Sequence, residues 1–115
     1  MAKSNKPIVW GLFAAGGTIS AFVVPAMILV TGLLVPLGVF GEDAMSYERM
    51  TAFLGNWIVK VVLLGVVILT LWHAAHRLRV TAHDFGIRSD GTIAMGVYGF
   101  AGLFSVIALF AVLAI

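Results

Sequence analysis

Residues 92–115 read TIAMGVYGFAGLFSVIALFAVLAI, a run without a single charged side chain. Crossing a hydrocarbon core of roughly 30 Å takes about 20 apolar helical residues, and this run is long enough to do so. Two earlier stretches, residues 8–40 and 51–72, match it in length and apolar character, and together the three leave only short polar segments. Lipid offers no water to unpaired backbone groups, so spanning segments must be helices or closed barrels. A lone chain of 115 residues with three such runs cannot close a barrel. The expected fold is therefore an all-α membrane protein with three transmembrane helices, at about 8–38, 47–78 and 92–115, in a single membrane domain covering 1–115.

Composition agrees. With 62% hydrophobic and 10% charged residues, the chain has no room for a separate aqueous catalytic domain. It has no cysteine, which excludes disulfides and thiolate ligands. Lys3 and Lys6 precede the first apolar run, as in a signal peptide, but a signal h-region stops after about 7–15 residues. This run continues far longer and reads as a retained helix.

Local signals place the helix ends. Pro7 suits a first helical turn, and Pro25 should kink the first span. That run is too long for one straight upright helix, so tilt, a kink or a bend near Pro36 is expected. Ser46 is a good N-cap for the second span, with Glu48 in the first turn. Asp90–Gly91 reads as a turn, after which the third span begins at Thr92.

Basic residues select the cytoplasmic side. The N-terminal segment carries Lys3 and Lys6 without an acid. The first loop carries Glu42, Asp43 and Glu48 against Arg49, and the second carries Arg77, Arg79 and Arg88. Three spans alternate sides, so the two basic segments share one: N-terminus cytoplasmic, C-terminus periplasmic.

This orientation brings Trp10 to the same membrane edge as His73, His76, Arg77 and His83. His73 and Arg77 share a helix face, as do His76 and His83. Histidine exchanges protons near neutral pH, arginine holds a fixed charge, and indole N–H is a donor on an apolar ring. Such a set suits a flat apolar ring bearing carbonyl oxygens, a quinone. Each residue alone has a plainer reading: Trp10 as an interfacial belt residue, the arginines as snorkelling heads, His76 as a helix-end hydrogen bonder. A haem with two histidine ligands would need one from a partner, because all three histidines lie between positions 73 and 83. Lys60 is the one charge well inside a span, but it lies towards the outer end and reads as structural. Gly11, Gly16, Gly17, Gly96, Gly99 and Gly102 permit close helix approach.

Three motifs, KPIVWGLFAAGG, GVFGEDAMSYERMTAF and LTLWHAAHRLRVTAHD, occur in this order. They resemble the D subunits of bacterial quinol:fumarate reductases, and the resemblance covers 7–115. It implies a membrane-anchor domain in the bacterial inner membrane. A flavoprotein subunit and an iron–sulfur subunit would sit on its cytoplasmic face, with a similar anchor, the C subunit, alongside. FAD and iron–sulfur clusters would belong to those partners, and menaquinol would bind at the subunit interface. The family's quinone pocket uses the tryptophan of VWG and the HR pair, which match Trp10, His76 and Arg77 here. The chain departs from the family in carrying Arg79 and Val80 where members can be richer in histidine. His83, in the matching HD pair, is left as the candidate secondary proton relay, and His73 stays outside the site. The family's anchors carry no haem. No catalytic residue, metal ligand or nucleic-acid partner is expected of this chain. The rival readings are a succinate dehydrogenase anchor, with ubiquinone and haem b, and more remotely a holin-like pore.

Overall fold

A computed structural model describes residues 4–115, so Lys3, used above for orientation, lies outside the described residues. The described chain forms α1 (Lys6–Leu29), a π-helical turn (Val30–Leu34), α2 (Tyr47–Gly55), α3 (Trp57–Asp84) and α4 (Asp90–Leu113). Three helical segments, Lys6–Leu34, Trp57–Asp84 and Asp90–Leu113, are long and apolar enough to cross a membrane.

The ends differ from expectation in four places, one being that the second span runs on to Asp84 rather than ending near 78. The second span does not run unbroken from Ser46. Ser46 does cap a helix, its Oγ accepting from Arg49 N at 3.3 Å, but that helix is the short α2. Asn56 is extended (φ −67°, ψ 128°) and starts a new helix, its Oδ1 accepting from Ile58 N at 2.9 Å and Val59 N at 3.4 Å. Glycine weakens a helix and asparagine prefers to cap one, so Gly55–Asn56 divides the run. The first span passes through Pro25 and leaves α-helical bonding only at Val30–Leu34, where Val35 N reaches back five residues to the Val30 carbonyl at 2.9 Å. Beyond Val35 the chain turns, and Gly38 and Gly41 take positive φ. The third span starts at Asp90 rather than Thr92.

The α3–α4 connection follows from one residue. Gly86 has φ +83°, which lets Ile87 N bond the Ala82 carbonyl at 3.1 Å and Gly86 N the His83 carbonyl at 2.9 Å. This pair of bonds is a Schellman end, which satisfies the last carbonyls of α3. The chain then reverses, and α4 packs antiparallel to α3.

Helix α3 is the hub, with α1 and α4 each packed against it. Its 28 residues extend for about 42 Å, more than a hydrocarbon core of roughly 30 Å. Buried positions are small or few: Gly16, Ala75, Ala101 and Val112. Phe22, Met95 and Phe110 instead point outward and are two-thirds or more exposed. That inverted pattern suits lipid as solvent, where helices associate through small residues and hydrogen bonds. The hydrogen bonds are present. The Ser20 hydroxyl meets Thr70 Oγ1 at 3.3 Å across α1 and α3. Trp72 Nε1–H donates to Ser105 Oγ at 3.1 Å across α3 and α4. Lys60 sits one turn into α3 and donates from Nζ to the Ile115 carbonyl at 3.3 Å, at the end of the bundle away from the histidines.

Candidate functional site

At the histidine end, α1, α3 and α4 surround a cleft of about 650 Å³. Trp10 and Phe13 enter it from α1, Trp72, His73 and His76 from α3, and Tyr98 from α4; the remaining lining is aliphatic. Alpha-helical spacing explains the α3 contribution. Trp72, His76, Arg79 and His83 follow i, i+4, i+7, i+11, so they form one stripe, and their partners show that this stripe faces α4.

The α1–α3 crossing sets the first wall. A side chain at Gly16 or Gly17 would collide with α3, the hypothetical Gly17 Cβ lying 2.7 Å from His73 Cε1. The absent side chains let His73 lie on α1, where its Nδ1–H donates to the Phe13 carbonyl at 2.9 Å. Phe13 stacks on the His73 ring at 4.4 Å and meets His76 edge-on at 4.8 Å. Trp10 leans on Phe13 at 5.2 Å and remains 65% exposed, so one indole face is open. Among the described residues the Trp10 N–H makes no hydrogen bond.

The α3–α4 crossing sets the second wall. His76 Nδ1 lies 2.9 Å from the Tyr98 hydroxyl. Tyr98 stacks on Trp72 at 5.8 Å and carries the Arg79 guanidinium 5.7 Å from its ring centre. Arg79 grips Asp90 with two bonds, Nε to Oδ1 at 2.7 Å and Nη2 to Oδ2 at 2.6 Å. His83 Nε2–H donates to the same carboxylate at 2.8 Å. Histidine, arginine and tyrosine thus follow one another from the α3–α4 turn into the cleft.

Of the residues singled out from the sequence, Trp10 and His76 line this cleft together. His83 lies outside it but on the same α3 stripe, bound to Asp90. Arg77 is exposed and does not line the cleft. It follows His76 by one residue and so sits at the same level, about 100° round the helix. His73, set aside on sequence grounds, is part of the wall. Phe13, Tyr98 and Asp90 join the site without having been singled out by the sequence. A tyrosine in an otherwise apolar span is the available signal for Tyr98.

The cleft has the make-up of a small-molecule site: mostly apolar and aromatic, of ordinary volume, with a few convergent polar groups. Phe13 and Trp10 give the cleft aromatic walls, and Trp10 and His76 bring an indole N–H and an imidazole to its lining. The fold and cleft together define a multi-pass helical membrane protein with an aromatic-lined cleft at one end of its bundle. The family model for the D subunits of fumarate reductases matches residues 1–113. A fumarate reductase D-subunit protein from Vibrio campbellii is 43% identical over 107 residues, covering 93% of this chain and 86% of its own length. Another from Photobacterium profundum is 40% identical, covering 93% and 89%. One from Actinobacillus pleuropneumoniae is 40% identical over 115 residues, covering 98% and 94%. The chain belongs to the D-subunit family of fumarate reductases.

Proposed function

We propose that this chain is the hydrophobic anchor that holds the flavoprotein and iron–sulfur subunits of a fumarate reductase on the bacterial inner membrane. It acts beside a second anchor, the C subunit, and helps form the menaquinol site that feeds electrons to fumarate reduction. On its own it is non-catalytic. FAD and the iron–sulfur clusters belong to its partners. No haem is expected, because His73, His76 and His83 all stand on α3 and offer no facing pair.

The observation that carries this reading is the convergence of Trp10 and His76 on one aromatic cleft, from helices far apart in sequence. Menaquinol, bound there, supplies the electrons. The chain's own groups orient it: Trp10 N–H donates to a ring oxygen, and His76 exchanges a proton at the ring edge. Arg77 contributes positive charge from the adjoining face at the same level. His83, on the same α3 stripe and hydrogen-bonded to Asp90, is the candidate secondary proton relay. Lys6, Arg77, Arg79 and Arg88 lie at this end with Asp84 and Asp90, whereas the other end carries Glu42, Asp43 and Glu48 against Arg49. By the positive-inside rule the cleft end is cytoplasmic, which puts the C-terminus in the periplasm.

The test is fumarate reduction driven by menadiol, a tailless menaquinol analogue, in membranes carrying the intact complex. Trp10→Phe, His76→Ala and Arg77→Leu are compared, each normalised to the rate with a soluble artificial donor that bypasses the quinone. The expected result is a fall of at least about 100-fold in the quinol-driven rate for His76→Ala, the scale of a lost acid–base group, and a smaller fall for Trp10→Phe and Arg77→Leu. Wild-type quinol oxidation in all three would remove the site from this cleft.

A further inference from the structure

Tyr98 belongs to none of the motifs, yet it closes the cleft from α4 and touches the one histidine proposed to meet the quinol. We propose that Tyr98 is a positioning residue for His76, and that its hydroxyl allows one imidazole to serve both redox forms of the ligand. This rests on the quinone reading above.

Tyrosine O–H both donates and accepts, and its oxygen stands 2.9 Å from His76 Nδ1. The partner of one imidazole nitrogen sets the protonation of the other. If Nδ1–H donates to Tyr98, Nε2 presents a lone pair, which suits the hydroxyl of a quinol. If Tyr98 donates to Nδ1, Nε2 carries the hydrogen, which suits the carbonyl of a quinone. Among the described residues no hydrogen bond engages Nε2. A carbonyl or an ammonium at the position of the Tyr98 hydroxyl would fix a single tautomer; a hydroxyl rotates to serve either.

A second set of contacts separates this role from support of the fold. The Tyr98 ring is held by contacts beyond those of its hydroxyl. It stacks on Trp72, which is itself tied to Ser105, and it meets the Arg79 guanidinium, which is bound to Asp90. A phenylalanine would keep that stack and that cation–π contact. Tyr98→Phe therefore keeps the ring's packing and removes the hydroxyl's bond to His76 together with its approach to Arg79.

The experiment uses the intact complex in membranes, with Tyr98→Phe, His76→Ala and the double variant. Menadiol-driven kcat and KM are measured, normalised to the soluble-donor rate. Tyr98→Phe is expected to lower kcat about tenfold, the scale of one lost hydrogen bond, with KM little changed. In the His76→Ala background the same substitution should cost nothing further, because coupled residues are non-additive. As a readout apart from turnover, nitrogen NMR of isotope-labelled histidine follows the His76 ring signals, identified by their loss in His76→Ala. They should shift in Tyr98→Phe before any quinone is added. An equal loss in both backgrounds, a wild-type kcat, or an unmoved His76 signal would each overturn the proposal. If His76→Ala itself oxidises menadiol at the wild-type rate, the quinone reading falls and takes this inference with it. If His76→Ala fails while Tyr98→Phe is normal, this inference alone falls.

Discussion

Adding one methyl group at Gly16 tests whether the α1–α3 crossing builds the cleft. A Cβ there would lie 2.8 Å from His73 Cβ and closer still to the Leu69 carbonyl oxygen, whereas ordinary contact is 3.4–4 Å. The second obstacle is backbone, so no rotamer change relieves it, and α1 must lift away by more than about half an ångström. Overpacking of this kind costs about 1–3 kcal/mol, which corresponds to roughly 5–150-fold in an equilibrium constant. Two neighbouring glycines calibrate the result. Gly17→Ala meets only the His73 ring, which can swing aside by giving up its 2.9 Å bond to the Phe13 carbonyl. A methyl at Gly11 meets nothing within 4 Å, and exchanging helical glycine for alanine favours folding by about 0.5–1 kcal/mol. The assay is the half-life of menadiol-driven fumarate reduction while membranes are held at a denaturing temperature. The expected order is Gly16→Ala shortest, Gly17→Ala intermediate, and Gly11→Ala equal to or longer than wild type. A Gly16→Ala complex as durable as Gly11→Ala would show that α1 does not bear on α3 there, and the cleft geometry would fall with it.

Asp90 holds Arg79 and His83 together at the first turn of α4. Asp90→Asn keeps the shape but removes the charge that both partners face, so amide hydrogen exchange across 85–93 should quicken, with residues near Ser105 unchanged. Since the pair is partly exposed, high salt should narrow the difference between variant and wild type. Asn56→Ala removes the side-chain acceptor that starts α3 and should cost about 1 kcal/mol, read as a lower thermal midpoint of the solubilised complex. Asn56→Ser or Asn56→Asp should restore most of it.

The three spans are legible in the sequence because lipid leaves little choice: a long uncharged run must satisfy its backbone within itself. The features that are not legible are set by single side chains or across helices. The break at Asn56 depends on an amide that turns back on its own chain within an apolar run, and hydropathy carries no trace of that turn. Asp90 reads as a loop residue because Arg79, the partner that ties it down, lies on the preceding helix across Gly86. His73 reads as dispensable because its place depends on two glycines in α1 that no local pattern connects to it. Arg77 and Arg79 are two residues apart and so about 200° apart round the helix. Composition treats them alike, but the rotation of α3 sends Arg79 towards Tyr98 and leaves Arg77 exposed.

That division of the two arginines bears on how the site is completed. The α4 side of the cleft is saturated: Arg79 is committed to Asp90, Tyr98 to His76, and Trp72 to Ser105. On the other side Trp10 shows an open indole face, and Arg77 has no acid within reach among the described residues. An exposed tryptophan and a bare charge at the membrane edge also suit interfacial anchoring, so what marks the open side is that both stand at the level of the cleft. A protein that presents half of a shared site would have this form. The open side is where an adjoining partner would supply the remaining wall and a counter-charge for Arg77. Arg77→Leu should then weaken the hold of the cytoplasmic subunits on the membrane in addition to slowing quinol oxidation, whereas Trp10→Phe should slow quinol oxidation and leave that hold intact. Washing membranes at high salt and measuring the fumarate reductase activity released separates the two. Equal retention in both variants would place Arg77 away from any contact between subunits.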